Sequence, residues 1–224
     1  NNLLTLEILF LMLHPKEVNN EFSSKIDNLF EKCKAKDSER LKNIFHKPRV
    51  ELLRKFQSSW KRSWRDLFGP ALPEEARIDN KFKAAKSLSE GLYRELLIVI
   101  QEITQIVFDF KPTKHFGMII DQFEKNTSTN VFVNRTAYNI RNAESHENIV
   151  FENGGKVELF DENNQLIQSV NEEDLDKTIS WLTSFTESVT YSLQRNYLEF
   201  INVKPDNRAA RLVELFDVFF DNIF

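Results

Sequence analysis

One long apolar stripe limits the fold of this chain more than any other feature. Ile78, Phe82, Ala85, Leu88, Leu92, Leu96, Val99, Ile103, Ile106 and Phe110 recur at three- and four-residue steps. Residues spaced in this way share one side of an α-helix, because a turn takes 3.6 residues. The stripe predicts a helix of about 32 residues, roughly 48 Å of rod at 1.5 Å per residue. Pro112 closes it. A rod with one apolar side has to be covered by other helices, so the fold is read as mainly α, a helical bundle. Composition agrees: 5 Gly and 6 Pro in 224 residues are too few for a turn-rich β-sandwich.

Further helices follow from the same periodicity. Val18, Phe22, Ile26, Leu29, Phe30 and Cys33 predict one from about Glu17 to Lys36. Asp37 or Ser38 then caps a short helix that ends before Pro48. Pro48 opens another, with Val50, Leu53, Trp60, Trp64 and Leu67 on one stripe, and "GPALP" stops it. A short helix is expected near His115–Lys125, and one from about Val131 to Ser145 capped by Ser128, Thr129 or Asn130. "NIVFE", "NGG" and "KVELF" then read as a β-hairpin, since Asn-Gly supplies the positive φ angles of a tight turn. "DENNQ" marks a second turn before a short strand at Leu166–Val170. Asn171 starts a long helix carrying Leu175, Ile179, Leu182, Phe185, Val189 and Leu193, with acids at the positive end of its dipole. A last helix is built on Leu212, Leu215, Phe216, Phe219 and Phe220. Residues 1–70 are read as an N-terminal helical segment and 74–224 as a second helical domain, or the two as one continuous domain.

Cys33 is the single cysteine, which excludes an internal disulfide and a Cys-based zinc cluster and suits a reducing cytoplasm. The apolar run in "NNLLTLEILFLMLHP" is too short to span a bilayer and lacks a basic flank, so it reads as a buried helix. Without an initiator Met, the true N-terminus is expected further upstream, where another domain could stand. The four His have no paired spacing that suggests a metal site, and no cofactor motif is present. His14 and His115 are read as capping helix C-terminal carbonyls.

The net charge of −4 hides an asymmetry. From Lys32 to Arg65 there are twelve Lys/Arg against three Asp/Glu, and from Glu144 to Glu187 eleven Asp/Glu against two Lys. A polyanion partner for the first segment, docking of the two segments, and plain solvated helix faces all fit that pattern. In "FQSSWKRSWRDLF", Trp60 and Trp64 lie on the core stripe, whereas Lys61, Arg62 and Arg65 lie beside it as a candidate RNA footprint.

The stretch "YNIRNAESHENIVF" carries the most chemistry. Tyr138, Asn142 and His146 share a helix face, with Arg141 one position round. Imidazole exchanges protons near neutral pH, and a guanidinium grips two phosphate oxygens at once. Together they suit RNA cleavage, in which the 2′-hydroxyl loses a proton while charge grows on the phosphate. Arg40 and His46 form a rival pair, but they sit in a basic short helix, and Arg40 is followed by Leu.

"IRNAESH", then a hairpin, then a long amphipathic helix, resembles the C-terminal half of HEPN (higher eukaryotes and prokaryotes nucleotide-binding) domains. Their motif is Arg, four to six residues, then His, often with Asn after the Arg. The resemblance is best over residues 131–200, with 78–110 as a bundle partner, and does not extend to 1–70. It implies a HEPN-type bundle and a homodimer that brings two Arg–His pairs together. It also implies metal-independent endoribonuclease activity in an intracellular toxin or phage-defence (abortive infection) system, with an antitoxin or sensor as a further partner. By that resemblance Arg141 and His146 are catalytic and Asn142 is the polar residue after the Arg. Relatives modified by nucleotidyltransferase partners have Tyr two positions after the His, where this chain has Asn148. A non-catalytic helical interaction module and an RNA-binding domain using the basic segment are the competing readings.

Overall fold

In the computed structural model the described residues are 19–46, 73–145, 148–152 and 155–200. The predicted helices at 1–15, 48–67 and 206–224 lie outside them, as do Trp60, Lys61, Arg62, Trp64, Arg65 and His146. Mainly helical architecture with one small antiparallel sheet is what the described residues form. The chain divides into two compact units that interleave along the sequence. One comprises residues 1–51, 99–112 and 184–224, and the other 52–98 and 113–183.

In the first unit, α1 (Asn20–Phe45) begins at Asn19, whose side chain accepts from the Glu21 N–H. The helix is interrupted at Asp37, where φ is −159° and ψ 85°. There the Asp37 carboxylate accepts the Arg40 N–H at 2.9 Å, an N-cap that restarts the helix as the sequence predicts. Phe22, Ile26, Leu29, Phe30 and Cys33 are all buried. Phe22 meets Phe185 edge-on at 5.6 Å, and Phe30 meets Phe200 at 5.9 Å, the favoured geometry for two ring quadrupoles. Cys33 Sγ donates to the Ile103 carbonyl at 3.2 Å, and burial pushes its thiol pKa up to about 12.

The predicted long rod is real as a buried stripe but is not one helix. It consists of α2 (Glu74–Leu88), a π-helical turn at Ser89–Tyr93 and α3 (Arg94–Thr104). Ile78 through Ile106 of the stripe are buried, whereas Phe110 is not. Helix ends at Thr104, about six residues before the expected Phe110. There Thr104 Oγ1 donates back to the Gln101 carbonyl at 2.9 Å, and the Ile106 and Val107 amides tighten the chain into three-residue turns onto Ile103 and Thr104.

In the second unit, α4 (Phe116–Glu124) leads through a 3₁₀ turn (Asn130–Phe132) to α5 (Arg135–Ser145). His115 stands just ahead of the N-terminus of α4 and is exposed, so it caps no C-terminal carbonyls, contrary to expectation. Strands β1 (Ile149–Glu152), β2 (Lys156–Phe160) and β3 (Leu166–Val170) pair antiparallel in the order β1-β2-β3. Gly155 takes φ 77° in the first turn and Asn164 φ 58° in the second, the left-handed conformation these residues tolerate best. Val157, Leu159 and Val170 form the buried side of the sheet. Then α6 (Glu172–Phe200) starts on a reciprocal cap: Asn171 Oδ1 accepts the Asp174 N–H, and the Asp174 carboxylate accepts the Asn171 N–H. Its six predicted core positions, Leu175 to Leu193, are all buried. No helix among the described residues is long and apolar enough to cross a membrane.

Candidate functional site

The helix carrying Arg141 starts four residues later than the sequence suggests. Residues 130–132 form a 3₁₀ turn, and Asn134, not Ser128, Thr129 or Asn130, caps α5 by accepting the Ala137 N–H at 2.9 Å. The reason is tertiary. Tyr93 of the π turn is fully buried; its hydroxyl donates to the Phe132 carbonyl and accepts the Asn134 N–H, both at 2.8 Å. One oxygen thereby satisfies two backbone groups where the chain turns into α5, and burial holds the phenol protonated far above its ordinary pKa. Phe116 and Trp181 pack edge-on against the same ring at 5.5 Å.

Two further contacts orient α5. Arg135 is a cation at the positive end of a helix dipole, an unfavourable place by itself. Asp121 and Glu124 of α4 offset it, with guanidinium–carboxylate bonds at 2.7 and 2.5 Å. The Arg135 bond holds the Glu124 carboxyl below its usual range. On another side, Asn139 donates to Gln168 at 2.9 Å and Gln168 donates to Thr136 at 3.0 Å, tying α5 to β3. Gly117 leaves room for Tyr138, since a Cβ there would lie 2.7 Å from the Tyr138 hydroxyl.

With α5 held in this way, Ala137, Ile140 and Ala143 are fully buried, while Arg141 and Asn142 stand at the edge of the core, partly exposed. The Arg141 side chain is 25% exposed, and its guanidinium lies 3.8 Å from the carboxylate of Glu90 in the π turn. Beyond α5, the Asn148 N–H bonds to the Ala143 carbonyl at 2.9 Å, and the Asn148 side chain donates to the Asp161 carbonyl at 2.5 Å. Its own carbonyl accepts from Phe160 at 3.0 Å. Asn148 is thus a second clamp between α5 and the sheet, beside the Asn139–Gln168 bond.

Of the residues singled out from sequence, Arg141 and Asn142 lie side by side on α5. Sequence reasoning missed Glu90 and Tyr93. The signal present was Gly91, a glycine inside a long helical pattern, which marks a place where regular helix is weakened. No group of three or more His, Cys, Asp or Glu among the described residues is placed to hold a metal ion. No family model matches the chain, and no curated protein or solved structure is significantly similar to it.

Proposed function

We propose that the chain is a HEPN-like, metal-independent endoribonuclease that acts as a homodimer, of the kind found in intracellular toxin and phage-defence systems. Arg141 binds the scissile phosphate, His146 exchanges the proton, and Asn142 orients one of them. In the reaction the 2′-oxygen forms a bond to phosphorus after losing its proton. The bond from phosphorus to the 5′-oxygen breaks, and that oxygen takes up a proton. One observation supports the reading above the others: the Arg-Asn pair of the motif sits at the partly exposed edge of a helix whose other side is wholly buried. A partly exposed guanidinium on a helix packed by its other side can offer its planar fork to two phosphate oxygens.

The deciding experiment is RNA cleavage by the wild type, His146→Ala, Arg141→Ala and Arg141→Lys proteins. Each variant is expected to lose nearly all cleavage while keeping its helical content, and the products are expected to end in 2′,3′-cyclic phosphate. Activity is expected to survive a chelator. Full activity of His146→Ala would refute the proposal.

A second reading, a non-catalytic interaction module, has its own support. Val150, Phe151, Leu166 and Ile167 are 40 to 54% exposed, all on the small sheet. Exposed large apolar side chains on the two edge strands β1 and β3 suit a protein contact. A dimer that forms normally but cleaves no RNA would favour this reading.

A further inference from the structure

We infer that Glu90 is a built-in counter-ion which holds the Arg141 guanidinium in the free protein and which an incoming phosphate must displace. This rests on the reading of Arg141 as the phosphate-binding residue and adds a residue that controls how readily that site fills.

The pairing is not a chance meeting of two surface side chains. Glu90 is the second residue of the π turn Ser89–Tyr93, and Arg141 lies two turns into α5. Tyr93 ends the π turn and is bonded to the backbone at Phe132 and Asn134, immediately before α5. Both charges therefore ride on backbone that one buried phenol pins together. π turns are rare, appear mostly as single-turn bulges inside α-helices, and are frequent at functional sites.

Charge logic gives the pair its consequence. At 3.8 Å, with side-chain exposures of 25% and 45%, the contact is an ion pair that solvent partly screens. At that separation it is long for a charge-assisted hydrogen bond. A phosphate arriving at Arg141 would meet the Glu90 carboxylate at close range and be repelled by it. Glu90 is the more exposed partner. Occupancy of the site thus competes with an internal carboxylate, which favours ligands with several phosphates over a single anion.

The test uses the full chain and a fluorescent single-stranded RNA whose 2′-hydroxyls are methylated, so that binding is read without cleavage. Glu90→Gln is expected to bind about fivefold more tightly at low ionic strength, the upper range for releasing an exposed pair. The gain is expected to shrink towards none near 1 M salt. Glu90→Asp, which keeps the charge on a shorter stem, is expected to fall between the two. In an Arg141→Ala background, Glu90→Gln is expected to change affinity less than twofold, because the cycle isolates the coupling between the two residues.

If Arg141→Ala weakens binding but Glu90→Gln does not strengthen it, the inference is wrong and the reading of Arg141 stands. An equal gain in the Arg141→Ala background would also overturn it, since Glu90 would then act only as distant charge. If Arg141→Ala changes neither binding nor cleavage, the functional reading itself falls, and this inference with it.

Discussion

Replacing Tyr93 by Phe removes one oxygen atom, and the structure makes that atom's loss unusually costly for a conservative change. The ring stays in its buried place between Phe116 and Trp181, so packing is kept. What is lost is the hydroxyl that donates to the Phe132 carbonyl and accepts the Asn134 N–H, each at 2.8 Å. Phe132 is fully buried, so its carbonyl would be left without that donor in apolar surroundings, at about 1–3 kcal/mol. Asn134 is partly exposed, so water can replace part of its bond and its share is smaller. The sum is about 2–4 kcal/mol. With a urea slope near 2 kcal/mol/M or somewhat more, the unfolding midpoint is expected to fall by about 1–2 M. Because both bonds sit where the chain enters α5, amides of its first turn, Ala137 and Tyr138, are expected to lose protection against hydrogen exchange ahead of those in α6. A Tyr93→Phe protein with an unchanged midpoint and unchanged exchange at α5 would refute the claim that this hydroxyl organises the motif helix.

Other outcomes follow from single contacts. Arg77 grips Glu172 through two bonds at 2.6 and 2.8 Å, and Lys81 reaches the same carboxylate at 2.7 Å, together lowering the Glu172 pKa to about 2. Because that value lies below the unfolded one of about 4.3, the stabilisation is present above pH 4.3 and is lost as pH falls towards 2. Acid titration of Glu172→Gln should therefore show a smaller loss of stability over that window than the wild type. Buried Cys33, with a pKa of about 12, should not react with a disulfide reagent at pH 8 until the protein is unfolded, and fast labelling of the native chain would contradict its placement. Asn171→Ala removes the side chain that caps α6 and should cost about 1 kcal/mol in a urea melt. Light scattering at micromolar concentration should find a two-fold dimer, as the proposed site requires; a strictly monomeric and fully active protein would contradict it.

Sequence alone determined the features that depend on near neighbours in the chain. The apolar periods marked the core positions of α1, of α2 and α3, and of α6 correctly, because helical geometry converts spacing directly into a shared face. Asp37 and Asn171 were legible as caps for the same reason, since a capping bond spans only three residues. The strands around "NGG" and "DENNQ" followed from turn chemistry that is equally local. Tertiary structure decided the rest. The start of α5 moved to Arg135 because a phenol 41 residues upstream bonds the Asn134 amide. The single long rod became two helices about a π turn, and Glu90 came to face Arg141, which lies far along the chain in another element. No local pattern encodes such meetings. They arise when two helices pack and a buried polar atom must find a partner wherever the fold supplies one.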